Sequence, residues 1–216
     1  MRKSLLLSVT LLMTLLCRSQ VEFGIFAGPQ ATSAKYTAKG IKQNTSYKFG
    51  FQLGAGLKVP FDNKVYFVPA VFYSMKGYKV TYNRFLYPPD TTAKDNNTLI
   101  HTVETAFLLE FAFNDQPGHT FFRTGPTLDF QLFGNEKFNT MNGSHIDRKM
   151  KFSFGDYGNF AANWLLQFGY ETSSGFMIFG QYTYGLASIN NVDEGPRIRH
   201  RAFGISIGKY FNRSKT

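Results

Sequence analysis

The strongest constraint on the fold is a strict alternation between apolar side chains and polar or small ones. Between residues 48 and 59 every odd position is apolar, and every even position is lysine, glycine or glutamine. Successive side chains of a β-strand point to opposite faces, so this pattern predicts a strand with one apolar face and one polar, glycine-rich face. The same alternation recurs at 121–132, 161–170 and 202–208. It predicts an all-β fold.

Eight segments of the chain have this extended character. They lie at about 21–31, 46–60, 64–82, 98–113, 119–133, 157–171, 175–188 and 198–211. Each reaches the roughly 9–11 residues that a tilted strand needs to cross a hydrocarbon layer. The phase of the segment 64–82 is ambiguous, because the pattern does not decide which of its faces is the apolar one.

The connections between these segments alternate in length. Three are short and carry turn residues, at 61–63, 114–118 and 172–174, whereas four are long and polar, at 32–45, 83–97, 134–156 and 189–197. Outer-membrane barrels have short periplasmic turns and longer extracellular loops. The sequence therefore predicts an eight-stranded antiparallel up-and-down transmembrane β-barrel with this arrangement.

A soluble lipocalin-like barrel also alternates, with its apolar face turned inward. Three features favour the membrane barrel. Glycine is frequent on the polar face, as the narrow interior of an eight-stranded barrel requires, and the apolar face carries phenylalanines and a tryptophan that are too bulky to fill so small a lumen. The only cysteine, Cys17, lies before the first strand, whereas a secreted soluble barrel would usually carry disulfides.

The N-terminus has the three regions of a secretory signal peptide. A basic start, Met1–Lys3, is followed by an apolar run from Leu5 to Leu16 and by small residues that place a cleavage site before Gln20. Twelve residues are too few for a membrane-spanning helix, which needs about 20, and Leu15 and Leu16 disfavour a lipoprotein signal. We predict a signal peptide over 1–19 and a single barrel domain over 20–216.

With the strands assigned, the chain resembles the PorT-like outer-membrane β-barrel family of Bacteroidota, which are Gram-negative. The resemblance rests on segments in five strands: Phe23–Gly28, Phe67–Gly77, Thr102–Leu109, Arg123–Pro126 and Ile205–Phe211. It implies a cell-envelope protein folded by the barrel-assembly machinery, with no catalytic residue. The sequence departs from the family in continuing past the terminal aromatic Phe211 and in having Ala70 and Ala106 where the family often has glutamate and proline.

The sequence gives little support for catalysis. His-Glu-x-x-His does not occur, and the four histidines, at 101, 119, 145 and 200, are dispersed. We therefore predict a non-catalytic protein with no cofactor and no metal site. A lipid-modifying enzyme remains an alternative, because some outer-membrane barrels place such side chains at their outer rim.

The whole chain has a formal net charge of +10, and its basic residues concentrate in the predicted long loops. The outer leaflet contains phosphorylated lipopolysaccharide, and Lys and Arg bind phosphate through charge-assisted hydrogen bonds. We predict lipopolysaccharide contacts at Lys35, Lys39, Lys42, Arg148, Lys149, Arg197, Arg199 and Arg201. The alternative is that these charges only keep the loops soluble. Because the chain is exported, we expect no nucleic-acid partner.

Charged residues are also expected inside the barrel. If the segments 98–113 and 119–133 form a hairpin, facing residues have numbers that sum to about 233. Glu110 then lies opposite Arg123, and Glu104 lies opposite Asp129, with Lys48 as the candidate cation between the two carboxylates. These five side chains would form a charge network that closes the lumen.

The predicted function is that of a structural or adhesive outer-membrane barrel with a lumen filled by side chains and basic loops that contact lipopolysaccharide. An eight-stranded barrel is too narrow for a general porin. An accessory subunit of an envelope or secretion complex is the second hypothesis, with another envelope protein as its partner. The third hypothesis is the lipid-modifying enzyme.

Overall fold

The computed structural model describes residues 21–83, 92–193 and 195–211, which form an all-β structure. The strands are β1 (Glu22–Ala38), β2 (Ile41–Lys42), β3 (Asn44–Ser46), β4 (Lys48–Asp62), β5 (Val65–Thr81), β6 (Asp95–Ala112), β7 (His119–Asn139), β8 (His145–Lys149), β9 (Phe160–Glu171), β10 (Phe176–Gly185) and β11 (Arg197–Phe211). Within these ranges no helix is long and apolar enough to cross a membrane. The predicted signal peptide lies outside the described residues.

Eight long strands close into a barrel. Their order is β11-β10-β9-β7-β6-β5-β4-β1, each pairing is antiparallel, and β1 pairs back onto β11. A closed ladder satisfies the backbone hydrogen bonds that lipid cannot. The predicted eight-stranded up-and-down barrel is confirmed, with tight periplasmic turns and longer extracellular connections. Of the three short strands, β2 pairs with β1, β3 with β5 and β8 with β7.

Two strands extend farther toward the extracellular end than the sequence indicates. β1 continues to Ala38 and pairs with β11 as far as Thr37 and Arg197. β7 continues to Asn139 and pairs there with β8. The extension of β1 was assigned to a loop because the run Ala31–Ala34 has only small or polar side chains, which lack the contrast that marks a strand.

The structure resolves the phase of β5. Val68, Phe72 and Lys76 point into the lumen and are buried, whereas Val71 faces outward and is 54% exposed. Both faces of this strand carry large apolar residues, because Val68 and Phe72 belong to an apolar layer inside the lumen. Strict alternation therefore could not decide the phase.

The lumen is filled by side chains. One apolar cluster lies in its periplasmic half and includes Phe26, Leu108 and Phe179, and a second lies toward the extracellular end and includes Tyr36, Tyr78, Ile100, Phe138 and Ile198. The periplasmic cluster borders a cavity of only about 20 Å³, which has room for about one water molecule.

Candidate functional site

The first charged pair in the lumen is Glu110 with Arg123. The two residues face each other between β6 and β7, in the register that the hairpin arithmetic predicts. Both are buried, and Nε of Arg123 donates a hydrogen bond to Glu110 Oε2. The guanidinium also lies 4.0 Å from the centre of the Phe121 ring. The pair is thus held by both an ionic and an aromatic contact.

Glu110 is part of a larger group, the periplasmic charge cluster, which consists of Lys58, Glu110, His119, Arg123 and Glu171. Nζ of Lys58 lies 2.7 Å from Glu110 Oε1 and 2.8 Å from Glu171 Oε2. It is also 3.3 Å from His119 Nε2. The ammonium therefore occupies the centre of the cluster and connects four strands, β4, β6, β7 and β9.

Three members of this cluster have a spacing compatible with a metal ion. Ligand atoms of Glu110, His119 and Glu171 all lie within 4.8 Å of one another. However, the Lys58 ammonium lies among these same atoms, and Lys58 and Arg123 balance the two carboxylates. A buried carboxylate requires a compensating charge, and here the chain supplies it. The geometry favours an ion-pair network over a metal centre.

A second group, the central charge cluster, lies nearer the middle of the barrel. Glu104 on β6 faces Asp129 on β7, as the hairpin register predicts. Nζ of Lys76 lies 2.7 Å from Glu104 Oε1 and 2.7 Å from Asp129 Oδ2. All three side chains are almost fully buried. A single ammonium thus separates two carboxylates of like charge.

The prediction that Lys48 supplies this cation is wrong. Its ammonium instead donates hydrogen bonds to Asn97 Oδ1 at 2.6 Å and to the Thr98 carbonyl at 3.0 Å. Lys48 begins β4, whereas Lys76 lies on β5, the strand next to β6, and points inward. Because the phase of β5 was ambiguous in the sequence, Lys76 was not assigned to the lumen.

The sequence prediction also omitted Lys58, His119 and Glu171. Alternation along β4 already places Lys58 on the inward face, so the sequence does indicate that this lysine points into the lumen. Its partner Glu171, however, is on β9, which is not adjacent to β4. Hairpin arithmetic gives only the contacts between neighbouring strands and cannot identify a pair that meets across the lumen.

Four cations form a basic patch on the outer wall at the extracellular end: Lys35, Arg197, Arg199 and Arg201. Lys35 on β1 is paired in register with Arg199 on β11, and Thr37 with Arg197. The three arginines follow the same face of β11 as the exposed Phe203 and Ile205. The patch therefore continues the lipid-facing wall beyond its apolar part.

The basic patch has no acidic partner among the described residues. None of its four cations forms an ion pair with a described carboxylate, and Nε of Arg199 is buried without a hydrogen-bond acceptor. Lys35, Thr37, Arg197 and Arg199 line a cavity of about 150 Å³. The Arg201 guanidinium lies 5.0 Å from the centre of the Tyr184 ring. Such an arrangement can bind an anionic group that arrives from outside.

The remaining predicted basic contacts are spread over other elements. Lys39 lies in the turn between β1 and β2, Lys42 is on β2, and Lys149 is exposed at the end of β8. Arg148, in contrast, is bound within the protein, because its Nε donates to Glu136 Oε1 at 2.6 Å. Lys42 faces Thr37 across the β1–β2 ladder and so adjoins the basic patch, whereas Arg148 and Lys149 lie on β8, which pairs with β7.

Glu136 also receives a hydrogen bond from the Tyr157 hydroxyl at 3.0 Å. Burial raises the pKa of Tyr157 well above its ordinary value, so the hydroxyl stays protonated and remains a donor. Glu136 is therefore satisfied by Arg148 and Tyr157, and the loop before β9 is fastened to the end of β7.

The histidines occupy four separate places. His101 faces outward, where its Nδ1 is hydrogen-bonded to the Tyr73 hydroxyl and its ring stacks on Phe133 at 4.3 Å. His119 belongs to the periplasmic charge cluster, His145 contacts Asn139, and His200 is buried in the lumen. The His101 group is part of the aromatic residues at the outer rim of the barrel, a feature of membrane barrels.

Three solved structures are similar to this chain. Ail, the attachment invasion locus protein of Yersinia pestis, is 15% identical, with a TM-score of 0.46 and coverage of 88% of this chain and 98% of Ail. OprG from Pseudomonas aeruginosa is 12% identical, with a TM-score of 0.47 and coverage of 88% and 95%. Neisserial surface protein A is 12% identical, with a TM-score of 0.44 and coverage of 88% and 97%. No curated protein matches the sequence.

Residues 14–191 match the family described as outer membrane protein beta-barrel domain. This range covers most of the chain and seven of the eight long strands. The match agrees with the closed barrel, the exposed apolar wall and the buried polar lumen. The chain therefore belongs to the outer-membrane protein β-barrel domain family.

Proposed function

We propose that the protein is a non-catalytic structural or adhesive barrel that holds lipopolysaccharide phosphate groups at its basic patch. The observation that carries this proposal is the lack of acidic partners for Lys35, Arg197, Arg199 and Arg201 on an outward face at the extracellular end. Phosphate groups of the outer leaflet lie at this level and have the opposite charge. Charge-assisted hydrogen bonds to arginine are among the stronger polar contacts in proteins.

The other four predicted cations contribute less to lipopolysaccharide binding than the basic patch does. Lys39, Lys42 and Lys149 extend the positive surface, whereas the ion pair of Arg148 with Glu136 reduces what Arg148 contributes. We therefore assign lipopolysaccharide binding chiefly to the basic patch. The filled lumen argues against transport through the barrel and favours contact of the outer surface with lipids or partners.

The test replaces Arg197, Arg199 and Arg201 with glutamine and measures binding to lipopolysaccharide-containing vesicles at low and high salt. A matched control replaces Lys79, Lys94 and Lys151 with glutamine, which removes the same charge at the same end but outside the patch. We expect the arginine variant to bind at least about tenfold more weakly, since each basic residue near an anionic surface contributes about 1 kcal/mol. Equal binding by the two variants would remove the basis of the proposal.

A second function is favoured by strand β8. Among the described pairings it contacts β7 alone, so its other edge presents unpaired backbone groups to which a partner can add a strand. This supports the accessory-subunit hypothesis. Crosslinking in intact cells from positions 145–149 tests it, with positions 39–42 as the comparison. Capture of one envelope protein from the first set alone is the supporting result.

Export and the absence of catalysis are proposals of their own. If residues 1–19 are removed during export, the protein isolated from outer membranes starts at Gln20, and N-terminal sequencing measures this. The dispersed histidines support a non-enzymatic role. A lipopolysaccharide mass spectrum that changes when the gene is deleted, and is restored by the wild-type protein, would instead support the lipid-modifying enzyme.

A further inference from the structure

An apolar groove of about 440 Å³ crosses the outer wall of the barrel in its periplasmic half. At its periplasmic end it is lined by Phe176 on β10 and Lys209 on β11. At the other end it is lined by Leu53 on β4. The groove therefore passes over several strands instead of following one.

The register of the strands gives the course of the groove. Ile178 is paired with Ile207, Ile207 with Ala27, and Ala27 with Leu53. Three steps between neighbouring strands span about 14 Å along the wall. Because the strands are tilted by about 45°, this path rises about 10 Å through a hydrocarbon layer of about 30 Å. Lys209 and Phe176 lie beside the periplasmic turn at 172–175, whereas Leu53 is in the middle of β4. The groove thus extends from the periplasmic interface toward the bilayer centre.

Ala27 accounts for much of the depth of the groove. Its methyl group points outward between the larger side chains of Ile207 and Leu53, both of which are more than half exposed. The row of outward side chains is therefore lowest at this position. A flexible hydrocarbon chain can occupy the depression.

The periplasmic end of the groove carries a positive charge. Nζ of Lys209 lies 4.5 Å from the centre of the Phe176 ring and 5.7 Å from that of Phe211. No ion pair joins it to a carboxylate of the described residues. Lys64, at the same end of the barrel, differs in forming an ion pair with Asp115 at 2.9 Å. Among the described residues at this end, Lys209 therefore remains accessible to an anionic group at the mouth of the groove.

We propose that the groove binds one glycerophospholipid of the inner leaflet, with its phosphate against Lys209 and one acyl chain along Ile178, Ile207 and Ala27 to Leu53. This ligand matches two features of the groove: a positive charge at the interface, and an apolar path that leads from it toward the bilayer centre. The site faces the leaflet opposite to the basic patch, so it is independent of the proposed contact with lipopolysaccharide.

The experiment measures lipids retained by the full mature barrel, using native mass spectrometry after extraction from bilayers of phosphatidylethanolamine and phosphatidylglycerol. Lys209→Gln removes the phosphate contact, and Ala27→Phe fills the acyl path. The matched controls are Lys64→Gln, a lysine at the same end, and Thr105→Phe, an outward position on β6 outside the groove. Heat-dependent gel mobility verifies that each variant is folded.

We expect the wild-type protein and both controls to retain one phospholipid, and each groove variant to retain it about fivefold less, as the loss of about 1 kcal/mol implies. Equal retention by all five proteins would overturn the proposal. If Ala27→Phe loses the phospholipid and Lys209→Gln still retains it, the proposed phosphate contact is overturned. Retention of several lipids with no preference for one would show nonspecific coating of the wall and would overturn the site.

Discussion

Lys58 and Glu171 lie on opposite walls of the barrel and are in direct contact, with Nζ 2.8 Å from Oε2. Their strands, β4 and β9, are four steps apart in either direction around the closed sheet. A side chain from each wall therefore reaches the centre and meets the other. A further contact of this kind, from Gln181 Nε2 to Gln52 Oε1 at 2.7 Å, joins β10 to β4 at another level.

These contacts predict a barrel that does not conduct ions. In planar bilayers the purified protein should give no persistent single-channel current, because charged and amide side chains bridge the lumen at two levels. Recording over a range of voltages measures this. A porin of known conductance in the same bilayer serves as the control, and a stable open level from this protein would contradict the closed lumen.

Replacing Arg123 with alanine should strongly destabilise the barrel. Glu110 would then keep only a share of the Lys58 ammonium, and breaking a buried pair costs about 3–5 kcal/mol. Arg123→Met combined with Glu110→Gln should recover most of the loss, since Lys58 and Glu171 remain balanced. Reversible denaturant unfolding in lipid vesicles gives the free energies. A single variant as stable as the wild type would show that the pair has no structural role.

The central charge cluster makes a separate prediction that distinguishes two lysines. Lys76→Met leaves Glu104 and Asp129 as like charges without a cation and should cost about 3–5 kcal/mol. Lys48→Met removes only hydrogen bonds to neutral groups at the strand end, which is a loss of about 1 kcal/mol. The same unfolding measurement compares them. The assignment of the central cation is wrong if Lys48→Met is the more destabilising change.

The sequence could predict the barrel, its strand number and the Glu110–Arg123 register, because all three follow from alternation and from one short turn. It could not predict Lys76, since apolar residues on both faces of β5 hide its phase. Nor could it predict the Lys58–Glu171 contact, which depends on how closely opposite walls approach. A bulge near Thr102 shows a further limit: beyond it His101 pairs with Phe133, so the hairpin sum changes and Glu136 points inward.

The single tryptophan reports which face of the barrel meets lipid. Trp164 points outward from β9, and its Nε1 donates a hydrogen bond of 2.8 Å to Thr124 Oγ1. Lipids brominated along the acyl chain should quench its fluorescence, whereas aqueous iodide should quench it weakly. The opposite order of quenching would mean that β9 is turned with its apolar face inward.

We propose that phosphate groups of the outer leaflet bind the basic patch formed by Lys35, Arg197, Arg199 and Arg201. The most direct measurement titrates the wild-type barrel with lipid A that carries both phosphates and with the same lipid after enzymatic dephosphorylation. The apolar wall meets identical acyl chains in both cases, so the difference reports the phosphates alone. We expect the phosphorylated lipid to bind at least about tenfold more tightly at low salt, and we expect this difference in affinity to shrink at high salt because of screening. Equal affinity for the two lipids at low salt would contradict it.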